Sequence, residues 1–386
     1  MQDVLNRFAS IAQSPYETLA RWKQQTGKKI IGCFPMHVPE EIIHAAGILP
    51  AIILGSDEPI TLANSYLQPH NCALVRSNLD MALTGKLDFL DGMVFPDICD
   101  SIQCVSDVWK RHKPGFFYHS LLVPARMNSP SSRQFLTQQF IQLKASLEKF
   151  MGQEISHKAL GQSLAIYNHN RALLSRFSQL RRENPSLLRA KDLAIVVTAS
   201  MLMPKEEHSQ LLTELLSRAQ KARPVPDGKP RLVLSGNLCD DPDQAILDLI
   251  EEVGAVVADD DLYVGTRYFA TQADETLDPI EALAKRYIHD VPCPTKHNPQ
   301  NDWADYLLGL VKQAKANGVI VLMLKYCEPH AFDYPYLKSR LSESGVPSLL
   351  LETEHGKAPL GPIRTRLQAF LETIEGGVTW NQRPSD

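Results

Sequence analysis

The chain has 386 residues, too many for one hydrophobic core, so two or three domains are expected. Apolar residues make up 44% and charged residues 22%, the balance of a folded chain rather than a disordered one. A formal net charge of −4 supplies no basic field, which argues against nucleic acid as the main partner.

The start, MQDVLNRFASIAQ, reads as an amphipathic helix without the apolar centre of a secretory leader. No apolar stretch approaches the ~18 residues that span a bilayer, so a cytoplasmic protein away from membranes is expected. GKKIIGCF (27–34) reads as a strand and VPEEIIHAAG (38–47) as a helix with proline in its first turn and glycine as its stop. Strand ILPAIILG (48–55), helix CALVRSNLDMALTG (72–85) and strand GMVFP (92–96) follow, then helix CDSIQCVSDVWKRHK (99–113) and strand FFYHSLLVP (116–124). Short apolar strands separated by helices indicate a parallel sheet covered on both faces.

From about Ser131 to Ala222 the pattern is helix after helix, with apolar residues at three and four spacing. ARPVPDGKPR (222–231) has the proline, glycine and charge of a linker. Alternation then resumes with RLVLSG, QAILDLIEEVG, AVVADD, DWADYLLGLVKQAKANG, VIVLML, DYPYLKSRLSESG and VPSLLLETE, closed by IRTRLQAFLETIEGG. The expected fold is α/β, with two doubly wound parallel-sheet domains (flavodoxin-like or Rossmann-like) joined by a helical segment. The domains run 1–127 and 229–386, with the helical segment at 128–228. No glycine fingerprint of the dinucleotide or P-loop type is present, so the pattern implies neither NAD nor ATP bound to this chain.

Seven cysteines, at 33, 72, 99, 104, 239, 293 and 327, are scattered and odd in number, which disfavours a disulfide framework. Three share one setting. Cys99 and Cys327 each follow a buried strand and precede a helix, and Cys72 opens a helix in HNCALVRS. Ligands of open parallel sheets gather beyond the carboxyl ends of the strands. Helix N-termini offer unpaired N–H groups and a positive dipole end that favour a thiolate, the form an iron–sulfur cluster or soft metal requires. Cys104 stands five residues after Cys99, about 140° around the helix axis, so the two thiols face different ways. Cys104 is read as core, as are Cys33, Cys239 and Cys293. His330 and His70 are candidates for acid–base or ligand roles beside these cysteines, or structural hydrogen-bonders. Glu40 and Glu41 lie in a helix's first turn, where the dipole favours acidic residues in any case.

FPMHVPEEIIHAAGILP, HNCALVRSNLDMAL, ICDSIQ, DDDLYVGTRYF and KYCEPHAFDYPYLK, in that order, resemble successive blocks of the 2-hydroxyacyl-CoA dehydratase D-component and benzoyl-CoA reductase family. The resemblance spans nearly the whole chain. It implies a hetero-oligomer of two related subunits, each with two α/β domains and a helical region, in which a [4Fe-4S] cluster is held by three cysteines per subunit, here Cys72, Cys99 and Cys327. It implies further a catalytic role for Glu41 and an anion contact for Arg267; His330 is a candidate proton donor by its position three residues after Cys327. Many relatives carry a cysteine where this chain has Tyr263, so a fourth protein ligand there is not implied. The wording of ICDSIQ and CEPHAFDYP is nearest to the smaller substrate-side (gamma) subunit of ATP-dependent benzoyl-CoA reductase, which reduces the ring of benzoyl-CoA in anaerobic aromatic degradation. That enzyme draws electrons from ferredoxin and ATP hydrolysis from two separate activator subunits. Two alternatives stand beside it: a 2-hydroxyacyl-CoA dehydratase working through a ketyl radical, and an iron–sulfur scaffold protein without acyl-CoA. A plain α/β binding module with seven buried thiols would carry no metal at all.

Overall fold

The computed structural model describes residues 1–223, 228–237, 245–289, 291–354 and 359–376. Cys239 and part of the expected linker lie outside the described residues. The first sheet has strands β1 (Ile30–Cys33), β2 (Leu49–Ile52), β3 (Gly92–Asp97) and β4 (Phe117–Leu122), in the order β2-β1-β3-β4 and parallel throughout. The second has β5 (Arg231–Gly236), β6 (Val256–Asp261), β7 (Gly318–Leu324) and β8 (Ser348–Thr353), in the order β6-β5-β7-β8 and again parallel. The expectation of two doubly wound α/β sheets is borne out.

Around the first sheet lie α1 (Gln2–Gln13), α2 (Pro15–Thr26), α3 (Glu40–Ala45), α4 (Ala73–Leu83) and α5 (Asp100–His112). Four helices intervene between the sheets: α6 (Pro130–Met151), α7 (His157–Glu183), α8 (Ala190–Leu202) and α9 (Lys205–Ala219). The second sheet carries α10 (Ala245–Glu252), α11 (Thr266–Phe269), α12 (Pro279–Ile288), α13 (Trp303–Ala314), α14 (Glu328–Glu343) and α15 (Leu360–Glu375). Helix α14 begins five residues earlier than DYPYLKSRLSESG suggests, because Pro329 sits in its first turn, where no intrahelical N–H bond is lost. No helix among the described residues is long and apolar enough to cross a membrane.

β1 and β7 are buried at every position, as befits central strands covered on both faces, and the edge strand β2 is buried throughout as well. One continuous apolar cluster runs from the first sheet through α6–α9 to one side of the second, and a smaller one fills the other side under α13 and α14. The long α7, opened by Ser156 accepting a hydrogen bond from the Ala159 N–H, touches both halves. Its Ser163 hydroxyl donates to the Glu41 carbonyl at 2.8 Å, while Asn168 exchanges hydrogen bonds with the Ala273 backbone at 2.8 and 3.0 Å. Further along α7, Arg181 is fully buried and donates to the Val257 carbonyl at 2.6 Å and to Asp260 at 2.8 Å, both on β6. A backbone pairing of Met127 and Ala125 with His297 adds a second tie between the halves.

Gly236 ends β5 with φ of 119°, and a Cβ there would lie 1.9 Å from the Leu322 carbonyl oxygen of β7. A side chain would therefore meet both a left-handed backbone and a strand that cannot yield. Gly236→Ala is expected to lower stability by more than about 2 kcal/mol in chemical denaturation. An unchanged midpoint would show that the β5–β7 pairing can yield at this position.

Candidate functional site

In each sheet the chain reverses its winding between two central strands, β1 and β3 in the first and β5 and β7 in the second. The carboxyl ends of such strand pairs leave a crevice. Here the two crevices open on one cleft of about 640 Å³. Phe34, Pro35 and Met36 enter it beyond β1, Ile98 and Cys99 beyond β3, Asn237 beyond β5, and Leu324 to His330 in part from the end of β7 into α14. Cys72, at the start of α4, completes it. Three cysteines far apart in sequence thus line one cavity. Each is the residue immediately before the first turn of its helix: Cys72 for α4, Cys99 for α5 and Cys327 for α14.

Six cysteines lie among the described residues, and none is in a disulfide. Cys33 and Cys293 are buried, as expected. Cys104 is exposed, against expectation. The buried stripe of α5 is set by Ile102, Val105, Ser106 and Trp109, and Cys104 falls off that stripe onto the solvent side. His70 is likewise exposed and is not among the residues lining the cleft.

Burial works against the thiolates that the helix ends were expected to favour. It pushes the Cys99 thiol up, although the Ile102 and Ser101 N–H groups of the first turn oppose it. It pushes Cys327 up to about 12, opposed by the His330 N–H and Asn237. Without a cation the pair stays neutral. A bound metal supplies the missing positive charge and deprotonates its thiols outright. Three sulfurs, backbone N–H groups aimed at two of them and a largely apolar wall together fit an iron–sulfur cluster. Among the described residues no group of three His, Cys, Asp or Glu side chains converges on a point suited to one metal ion; the sulfurs surround a cavity instead.

His330 is buried against Trp303, ring centroids 5.5 Å apart, with its Nδ1 3.3 Å from the Cys327 sulfur. Burial and Arg267 hold it down to about 3, so it is a neutral hydrogen-bonding partner of that sulfur rather than a charged acid. Asn237 lies on the same side: its N–H donates to the Leu322 carbonyl at 3.1 Å, and its side-chain oxygen accepts from the Leu324 N–H at 2.8 Å.

Beside the cleft, with Met36 as a shared wall, lies an inner chamber of about 490 Å³ lined by His37, Glu40, Arg171, Arg267, Tyr268 and others. Arg267 sits here and not in the cysteine cleft. Its guanidinium donates to Asp261 at 2.8 Å and to the Pro292 carbonyl at 2.9 Å, and Asp261 in turn accepts from the Trp303 indole at 2.8 Å. Glu41 lines neither cavity; it is buried and paired with Arg171 of α7. Its neighbour Glu40 lines the chamber, accepts from the Tyr268 hydroxyl at 2.8 and 3.0 Å and lies 3.4 Å from Lys205. The dipole reading of the acidic pair therefore understates both residues. Glu40, Lys205, Tyr268 and His37 were not singled out from the sequence as site residues, because only tertiary packing brings them together.

The chain matches the family described as "2-hydroxyglutaryl-CoA dehydratase, D-component" over residues 35–374. It belongs to that family. The chain is 30% identical to a benzoyl-CoA reductase subunit of Thauera aromatica, with 97% of this chain and 98% of that protein covered. It is 29% identical to the "(R)-phenyllactyl-CoA dehydratase beta subunit" of Clostridium sporogenes, with 96% of this chain and 98% of that protein covered. It is 31% identical to "Lactoyl-CoA dehydratase subunit beta" of Anaerotignum propionicum, with 97% and 99% covered. Members of this family are enzyme subunits, of dehydratases or of reductases.

Burial pushes the Glu41 carboxyl up, but Arg171 and Arg286 beside it and the Arg171 hydrogen bond outweigh this and hold it below its ordinary 4.5. Its contribution to stability is therefore complete above about pH 5 and is lost as pH falls through the lower folded value. Arg171→Leu leaves a buried carboxylate unpaired, and a loss of about 3–5 kcal/mol at neutral pH is expected from denaturation midpoints. In the same variant the Glu41 carboxyl is raised, so part of that loss should be recovered on acidification. A variant equal to wild type at pH 7 would contradict the pairing.

Proposed function

We propose that this chain is the substrate-side, cluster-holding subunit of an electron-driven acyl-CoA enzyme, and that its reaction is of the benzoyl-CoA reductase type. The observation that carries the reading is the meeting of Cys72, Cys99 and Cys327 in one cleft built from the carboxyl ends of both sheets. These three residues would hold a [4Fe-4S] cluster. When bound, such a cluster supplies single electrons at low potential. The chain's own part is to place and shield the acceptor. Phe34, Leu74, Val75, Ile98, Ile102 and Leu324 wall the cleft with apolar surface that keeps water from a reduced substrate. His330 and Asn237 orient the Cys327 side of the site through the bonds described above.

The lining supports an apolar or aromatic acyl group. Among the described residues of the cleft wall there is no Lys or Arg to receive a second carboxylate. Such a wall suits a benzoyl group. The same wall suits a phenyl-bearing 2-hydroxyacyl group, and the dehydratase names among the relatives favour this second reading, in which water leaves through a ketyl radical. In either case the thioester carbonyl takes up negative charge as the electron arrives. ATP hydrolysis and ferredoxin would act through two activator subunits, with a homologous subunit completing the substrate side.

The test is anaerobic co-purification with the neighbouring subunits. Cys327→Ser is expected to lose most of its iron and its [4Fe-4S] electron paramagnetic resonance signal, while Cys104→Ser keeps both. Full iron in Cys327→Ser would sink the reading. With reduced ferredoxin and ATP, wild type is expected to consume benzoyl-CoA in preference to aryl 2-hydroxyacyl-CoA thioesters; the reverse preference would establish the dehydratase.

A further inference from the structure

The turn that carries the chain from β1 into α3 divides the cysteine cleft from the inner chamber. Two successive non-glycine residues there, Met36 and His37, have φ of 74° and 62°. Histidine tolerates this region better than most residues, but two in a row are uncommon and require the surroundings to hold them. The strain has no return in local bonding, because both ring nitrogens of His37 are buried without a hydrogen-bond partner. An imidazole that packs only as a spacer would ordinarily be replaced by an apolar side chain at no such cost.

The neighbouring polar groups are already engaged. Arg171 is tied to Glu41, Arg267 to Asp261, Glu40 to Tyr268, and the Tyr287 hydroxyl donates to the Val38 carbonyl at 2.7 Å. Burial, with Lys296, Arg267 and Arg286 adding to it, holds His37 down to about 3. It is therefore a neutral imidazole, offering one N–H donor and one acceptor among charges that are already paired. Such a group can stabilise charge developing on an oxygen without needing a proton from solvent.

The geometry points to His37 as a catalytic residue whose ring N–H donates to the thioester carbonyl oxygen of the bound acyl-CoA, at the boundary between the cysteine cleft and the inner chamber. This rests on the acyl-CoA reading given above, and it holds for reductase and dehydratase alike, since both place negative charge on that oxygen. Met36 lines both cavities and His37 beside it lines the inner chamber, so the turn sets the donor at their boundary while the acyl group lies against the apolar wall. The surrounding arginines supply a field that favours the anion without contacting it.

Binding of benzoyl-CoA and of its thioether counterpart, in which CH₂ replaces C=O, would be measured by calorimetry on the anaerobically purified complex. The wild type should bind the thioester more tightly. His37→Leu should weaken thioester binding about tenfold, the worth of one hydrogen bond, and leave thioether binding unchanged. His37→Gln, which keeps a donor, should recover most of the loss. Infrared difference spectra with ¹³C=O should show the bound carbonyl stretch lowered in wild type and returned toward its solution value in His37→Leu. Equal losses for both compounds, or an unshifted carbonyl in wild type, would overturn the assignment. A wild type that binds neither compound would instead remove the acyl-CoA reading itself.

Discussion

The arrangement of the two sheets depends on charges buried where the helical segment meets them. On α3, Glu41 is paired with Arg171 of α7, and Glu40 with Lys205 of α9 and Tyr268 of α11. Arg181 of α7 reaches β6, holding Asp260, while Arg182 holds Asp259 at 2.7 Å. Pairs of this kind contribute little net stability over apolar packing, but removal of one partner is severely destabilising. Their effect is directional: they tolerate one orientation of α7 against both sheets. That orientation turns the carboxyl ends of β1 and β3 toward those of β5 and β7.

Everything chemical about the cleft follows from that juxtaposition. A crevice at one sheet would offer Cys72 and Cys99 alone; the other sheet brings Cys327, His330 and Asn237. Strand ends and apolar side chains close around the site, and burial there is what drives the Cys99 and Cys327 thiols to neutrality. A cavity that penalises thiolates so strongly in the absence of a cation is well suited to a group that brings positive iron with it. Burial likewise keeps His330 and His37 neutral, so both rings enter the ground state uncharged, His330 against the Cys327 sulfur and His37 without a partner.

Much of the fold was legible because its signals are local. Central strands such as VIVLML are continuous apolar runs, and the helices between them carry three-and-four spacing, so two parallel sheets follow from pattern alone. The placement of Cys72, Cys99 and Cys327 before helices was equally local. Their sharing one cleft was not, since it depends on how α7 sets one sheet against the other. Cys104 shows the limit of angular reasoning: its separation from Cys99 around the helix was correct, but which side faces the core is decided by Ile102, Val105 and Trp109. For the acidic pair, first-turn propensity masked two buried ion pairs whose partners lie more than a hundred residues away. His37 was invisible for a similar reason, because an unpartnered ring in a left-handed turn has no signature in sequence.

The most direct test of the central claim is a crystal structure of the anaerobically purified protein with an anomalous difference map at the iron edge. The account predicts one iron–sulfur peak in the cleft between the sheets, bonded to the sulfurs of Cys72, Cys99 and Cys327 at about 2.3 Å, the usual metal–thiolate distance. Iron elsewhere, or a cleft whose three thiols remain unligated in iron-replete protein, would contradict it.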